Sequence, residues 1–275
     1  MRRFKTLGPV SANLISFLYS SNKIIFTLVD IENITGLRDG AARDLASRLI
    51  KRNIIARIKY GKYIIIPQEI GDNVSYIGDW YVVAREIVKS PDYYISYYSA
   101  MDIHNMITHP VTKVFVTTPK QEYNKQRVVG NTTFEFICMT AKYIWGIQKF
   151  WVTKSEQVRV SDIERTIIDC LYRPKYCGGV MEIIKGLWIK KAKIDFDILF
   201  DYVIKFKKIV VIKRLGYILE SLNLQTANYL NELRTRINDK YYVLDPLLST
   251  EKTYKNFWKL IANIGPEEMR KNVST

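Results

Sequence analysis

The stretch DGAARDLASRLIKRNIIARIKYGKYIIIP, residues 39–67, decides how the first quarter of the chain folds. Its first half repeats apolar residues at Ala42, Leu45 and Leu49, the spacing of one buried helix face. The opposite face carries Gly40, Arg43, Asp44, Ser47 and Lys51, so the pattern predicts an amphipathic helix from Asp39 to Arg52. The second half alternates from Ile54 to Ile58 and from Tyr63 to Ile66, about Tyr60-Gly61. That pattern is a hairpin. Gly61 can take the positive φ of a tight turn, and Pro67, which lacks an N–H, stops the second strand.

Two helices are expected upstream. From Ser11 to Ser20, Leu14, Phe17 and Leu18 form one apolar face, with Ser11 as N-cap after Gly8-Pro9. A short helix then has Thr27 as its cap, Asp30 in its first turn, Leu28, Ile31 and Ile34 at helical spacing, and Gly36 past its end. Three helices and a two-stranded wing form a winged helix-turn-helix, a unit that lays one helix in the DNA major groove. Arg43 can donate a fork to guanine, and Ser47 can bond a base or phosphate. Arg57, Lys59 and Lys62 on the wing would meet phosphates or the minor groove. Arg38 and the N-terminal Arg2 and Arg3 complete the candidate set. The alternative is a protein-interaction module in which Arg48 and Arg52 only solvate the helix flank.

Charge favours the first reading. The net charge is +15, from 42 Lys and Arg against 27 Asp and Glu. Residues 1–67 hold 12 of the basic and 4 of the acidic side chains, half the excess in a quarter of the length. A polyanion is the partner such a balance suits, nucleic acid first, with a solvated lysine surface as the alternative. An apolar content of 48% excludes disorder as the main state. No run approaches the roughly 20 apolar residues of a membrane span. The basic N-terminus lacks the apolar stretch of a secretory signal. Cys138, Cys170 and Cys177 form no C-x-x-C pair, so neither a disulfide framework nor a structural zinc site is expected. The reading is a soluble, cytoplasmic, reduced protein.

Downstream, Asp72–Tyr76 reads as a linker. Helices are expected at Asp79–Val88 and Ser96–Met106, then strands at Lys113–Thr117, Arg127–Val129, Thr133–Cys138, Lys149–Thr153 and Val158–Val160. Ser161-Asp162-Ile163-Glu164 reads as a capping box opening a helix to about Leu171. Four more helices follow, ending near Trp188, Lys207, Leu222 and Arg236, and a short strand spans Tyr241–Leu244. The fold class is therefore α+β. A winged helix-turn-helix over residues 1–70 precedes a larger mixed α/β unit over 71–275, with a mixed sheet (76–160), helices (161–240) and a basic tail (246–275).

Catalytic motifs are missing from the sequence: no dinucleotide or phosphate-binding glycine loop, no His-Glu-x-x-His, no nucleophile elbow. His104 and His109 could share a metal, or be one packed and one exposed histidine. Asp162, Glu164 and Asp169 suggest a nuclease cluster. Against that, the capping box explains Glu164, the helix start explains Asp162, and Arg165 and Arg173 explain Asp169 through i,i+4 pairing. Pro91-Asp92 with Glu122-Tyr123-Asn124-Lys125 approaches a restriction-nuclease arrangement, one residue out of register. Gly178-Gly179 before a helix could receive an anion or make a tight turn. Tyr93-Tyr94-Ile95-Ser96-Tyr97-Tyr98 could stack bases or pack a core. Lys190, Lys191 and Lys193 could bind a polyanion or be a solvated face. No enzymatic activity, cofactor or metal is expected.

Several segments together resemble the AbiEi family. They are Tyr93–Ala100, Val114-Phe115-Val116-Thr117, Val160-Ser161-Asp162-Ile163-Glu164-Arg165-Thr166-Ile167-Ile168-Asp169, Cys177-Gly178-Gly179 and Arg214-Leu215-Gly216-Tyr217-Ile218-Leu219-Glu220. The likeness covers roughly residues 10–245. Asn105 stands where a small residue is expected. The family comprises antitoxins of type IV toxin–antitoxin systems, grouped with predicted regulators of virus-defence loci. The resemblance implies an N-terminal winged helix that binds inverted repeats in its own promoter as a monomer or homodimer, and represses the operon. It implies that Ser161, Glu164, Arg165, Asp169, Gly178 and Gly179 are structural or antitoxic, and that a nucleotidyltransferase-like toxin is countered without a tight complex. A stand-alone winged-helix regulator and a DNA-targeted nuclease are the alternatives.

Overall fold

A computed structural model describes residues 7–66, 78–88, 90–107, 109–120, 125–154, 156–224 and 227–273. Arg2, Arg3, the expected linker at Asp72–Tyr76, and Glu122, Tyr123 and Asn124 lie outside the described residues.

Helix α1 (Pro9–Ser20) starts one turn earlier than Ser11 would set it, with Gly8 as N-cap. Proline at the first position has its φ already helical and no N–H to satisfy. Ser11 is therefore buried inside the first turn, and Ile15 joins Leu14 and Leu18 inward, whereas Phe17 is 52% exposed. A strand absent from the sequence reading, β1 (Ile25–Thr27), leads into α2 (Leu28–Thr35). Thr27 and Asp30 cap α2 reciprocally: the Asp30 N–H donates to Thr27 Oγ1 at 3.3 Å and the Thr27 N–H to Asp30 Oδ2 at 2.7 Å. Gly36 closes it at φ 71°. Helix α3 (Asp39–Lys51) buries Ala42, Leu45, Ala46 and Leu49. Strands β2 (Ile55–Lys59) and β3 (Lys62–Ile65) form the hairpin, and β1 pairs antiparallel with β3 to give the order β1-β3-β2. This unit has its own apolar core, from Leu14 to Ile65.

Helix α4 (Gly78–Ile87) crosses to the second layer, a six-stranded mixed sheet of order β6-β7-β5-β4-β9-β8. Its strands are β4 (Tyr94–Ile95), β5 (Lys113–Thr118), β6 (Gln126–Val129), β7 (Thr132–Cys138), β8 (Ile147–Trp151) and β9 (Gln157–Ser161). The pairs β5/β7 and β4/β9 are parallel, the rest antiparallel. Strand alternation divides two cores. Val114 and Val116 of β5 join Trp80 and Val83 of α4 and Ala56, Ile58 and Ile64 of the hairpin. Phe115 points to the helical layer. The tyrosine string is core: Tyr94 runs through central β4, and Tyr97 opens α5 (Tyr97–Ile103) fully buried.

The third layer holds α6 (Ile163–Tyr172), α7 (Val180–Lys190), α8 (Phe196–Phe206), α9 (Ile209–Ser221) and α10 (Ala227–Thr235). The expected basic tail packs here instead. Strand β10 (Tyr242–Val243) pairs parallel with β11 (Leu260–Ile261), and α11 (Pro266–Val273) follows. Trp258, Leu260, Ile264 and Met269 are buried among these helices. A Cβ at Gly216 of α9 would overlap the Trp258 ring, so glycine is what lets the indole lie on the helix. The run that carries part of the resemblance has these duties. Arg214 donates to Leu171 O at 2.6 Å and Val243 O at 2.8 Å, Tyr217 to Ile264 O at 2.9 Å, and Glu220 accepts Trp258 Nε1 at 2.6 Å. No helix among the described residues is long and apolar enough to cross a membrane.

Candidate nucleic-acid interface

Helix α3 is amphipathic by construction: alanines and leucines fill one face, leaving the other to solvent. Arg38 is its N-cap residue, and Arg38, Gly40, Arg43, Asp44 and Lys51 are exposed, with Ser47 half-buried. Gly40, Arg43, Asp44, Ser47 and Lys51 share one face at helical spacing. Arg38, Arg43, Arg48 and Lys51 make no ion pair among the described residues. Asp39, at φ 47°, donates its N–H to Glu32 Oε1 of α2 at 3.2 Å, which ties the start of α3 to the preceding helix.

The hairpin divides the three expected wing cations. Arg57 is exposed and without an ion-pair partner among the described residues, and Tyr60 at the tip is 89% exposed. Lys62, in contrast, pairs with Glu86 of α4, and Lys59 Nζ donates to the Glu86 carbonyl at 3.0 Å with its carboxylate 3.9 Å away. Glu86 also takes Arg85 at 3.1 Å, and Arg85 reaches Glu156 at 2.7 Å. Burial raises the Glu86 carboxyl, but the bonds from Lys62 and Arg85 outweigh it and hold the group below its ordinary value. Two of the three expected wing cations are thus engaged by Glu86 of α4 rather than open to a phosphate.

The Ser161/Glu164 capping box is not formed. Asp162 is the N-cap of α6, its Oδ1 accepting the Arg165 N–H at 2.7 Å. Ser161 lies in β9 with its hydroxyl against Thr166 Oγ1 at 2.7 Å, and Glu164 accepts the Asp195 N–H at 2.9 Å, bracing the start of α8. Arg165 and Asp169 pair as their spacing predicts, but wholly buried: Arg165 Nε and a terminal nitrogen reach Asp169 Oδ1 at 3.0 and 2.9 Å. Tyr94 donates to Asp169 Oδ2 at 3.0 Å. Burial opposes the Arg165 charge, yet Asp169 outweighs it, and burial with Asp169 raises the Tyr94 hydroxyl, so it stays a donor. The carboxylates of the suspected nuclease cluster are therefore each tied to a fold contact.

Gly178 and Gly179 take φ 74° and 100°. The anion at this helix start belongs to the chain itself: Asp245 Oδ2 accepts the Val180 N–H at 2.6 Å. A Cβ at Gly179 would sit 2.7 Å from that oxygen. His104 Nε2 donates to Ser161 O at 2.6 Å while His109 is exposed, and no three His, Cys, Asp or Glu side chains among the described residues are grouped to hold a metal. Lys191 stands 3.3 Å over the Trp188 ring, and Lys193 is exposed. Sequence reasoning missed Glu86, Asp245 and Trp258, each acting on residues more than 20 positions away.

No protein-family model and no curated sequence matches the chain. Among solved structures, the RV2827C protein of Mycobacterium tuberculosis aligns over 99% of this chain and 97% of its own, with a TM-score of 0.67 and 12% identity. At that identity the likeness is one of fold alone.

Proposed function

We propose that residues 9–65 are a winged helix-turn-helix that reads double-stranded DNA with α3, and that the chain is the antitoxin and autorepressor of a type IV toxin–antitoxin operon. The observation that carries DNA binding is the exposed face of α3, where Arg38, Arg43 and Lys51 stand without a carboxylate partner among the described residues. Arg43 is placed for a base edge. Arg38, Lys51 and Arg57 suit phosphates, which position the helix without reading sequence. The element order, three helices and a β1-β3-β2 sheet, supports the winged-helix reading. Inverted repeats would engage two copies of the chain, one per half-site.

The antitoxin part rests on the resemblance to the AbiEi family. Its most specific run, Ser161 to Gly179, works here as the joint between sheet and helices. A stand-alone regulator would share the same DNA site. Footprinting on DNA upstream of the coding region tests the first part. Protected inverted repeats are expected. Arg43→Ala should cost about 1–3 kcal/mol on the preferred site and relax base choice at one position. Absence of protection in excess competitor DNA would overturn the DNA reading. Expression beside a nucleotidyltransferase-like neighbour gene tests the second part, with rescue of growth as the expected result.

A further inference from the structure

A second charged surface lies far along the chain from α3. Three segments that the sequence separates meet around the buried ring of Phe206: Tyr143 at 5.2 Å, Tyr172 at 5.3 Å and Trp145 at 6.3 Å between centroids, all edge-on. Cations lie close to each of these rings. Lys208 is 5.2 Å from the Tyr143 ring and 5.8 Å from Tyr172, so it bridges them. Lys142 lies 5.2 Å over Tyr143, Arg173 5.2 Å over Tyr172 and Lys205 4.5 Å over Trp145. None of the four makes an ion pair among the described residues, and Asp201, one turn before Lys205 on α8, makes none either.

The bland account covers only part of this. Arg173 caps α6 and Lys205 lies in the last turn of α8, where the helix dipole favours a cation. The dipole explains neither Lys142, on a single 3-10 turn (Ala141–Tyr143), nor the rings beneath the charges. Cations held beside aromatic rings are placed before any ligand arrives. Half-buried rings interleaved with cations that lack an ion pair among the described residues are the combination that single-stranded nucleic acid uses: the cations track the phosphates and the rings of Tyr143 and Tyr172 take the bases, Trp145 being already faced by Arg165 and Tyr202. A duplex, its bases stacked inside, has no use for the rings.

We infer that the face formed by Lys142, Tyr143, Trp145, Tyr172, Arg173, Lys205 and Lys208 binds single-stranded nucleic acid. It is a second site, independent of α3 and of the reading given to it. The probe is a fluorescein-labelled mixed-sequence oligoribonucleotide, titrated with the full chain by anisotropy beside a duplex DNA of equal length. Lys142→Gln/Lys208→Gln removes two phosphate contacts. It should weaken oligoribonucleotide binding about 25-fold at 0.1 M salt and flatten the salt slope by about 1.4. Tyr143→Leu keeps every charge and should weaken the single strand while leaving the duplex unchanged. Arg43→Ala should leave the single strand unchanged. A thermal melt accompanies each variant, and Lys142→Glu, at an exposed position, replaces any that melts early. No saturable binding of the single strand would overturn the inference. So would unchanged affinity in the double variant, or equal losses on single strand and duplex in Tyr143→Leu.

Discussion

Glu86→Gln keeps the size of the side chain and removes the charge that holds Lys59 and Lys62. Glu86 is the carboxylate those lysines share, through the Lys62 pair and the 3.9 Å approach of Lys59. If the hairpin meets DNA, the substitution frees Lys62 near its tip, while Lys59 keeps its bond to the Glu86 carbonyl. A regained phosphate contact steepens the dependence of log affinity on log salt by about 0.9, so affinity should rise about 8-fold at 0.1 M salt. Stability should move the other way by about 1 kcal/mol, since these pairs are partly exposed. The assay is anisotropy of a labelled operator duplex across a salt series. Glu251→Gln, at an exposed position far from the hairpin, removes the same formal charge and controls for net charge. A Glu86→Gln slope equal to that of the control would refute the reasoning, because Lys62 would then lie off the DNA path.

Asp169→Ala leaves the buried Arg165 charge without its partner and should cost about 3–5 kcal/mol by denaturant unfolding, whereas Arg165→Met/Asp169→Leu should recover most of it. Gly179→Ala meets Asp245 at a positive φ and should destabilise, but its cost should not add fully to that of Asp245→Ala, because both act on one helix cap. Burial holds His104 below its ordinary value of 6.5. The unfolded chain therefore takes a proton near pH 6.5 before the native one does, so stability is whole above that pH and falls as pH drops through it toward the native value. In His104→Gln, melts across that window should lose this component.

What could be read from the sequence was local. The α3 stripe, the Thr27 cap and the Gly61 turn each depend on neighbours within one or two turns, so periodicity and cap chemistry revealed them. The misread box at Ser161 failed by one residue. Asp162 offers the same acceptor geometry to Arg165, and Glu164 is drawn off by Asp195, 31 positions on. Strand β4 was hidden because two residues are too few to alternate, and Tyr94 is placed by strands on either side of it. The C-terminal segment looked like a basic tail because its local sequence shows no long helix or strand pattern, while Trp258 and Ile264 make it core through partners on α9. The candidate interface was legible on α3 but not on the hairpin, where Glu86 supplies a partner 24 residues past Lys62.

The layered cores imply an order of events on the ribosome. Every residue of the first core precedes Pro67, so that unit can close early in synthesis. The helical core draws on Trp258, Ile264 and Met269, and must stay open for some two hundred residues more. Domains fold as units, N-terminal first, as the chain emerges. A nascent chain thus passes through a stage with a finished N-terminal unit and an exposed apolar α9 still lacking its indole. A chain broken between Asp239 and Trp258 would keep the first core and lose the last.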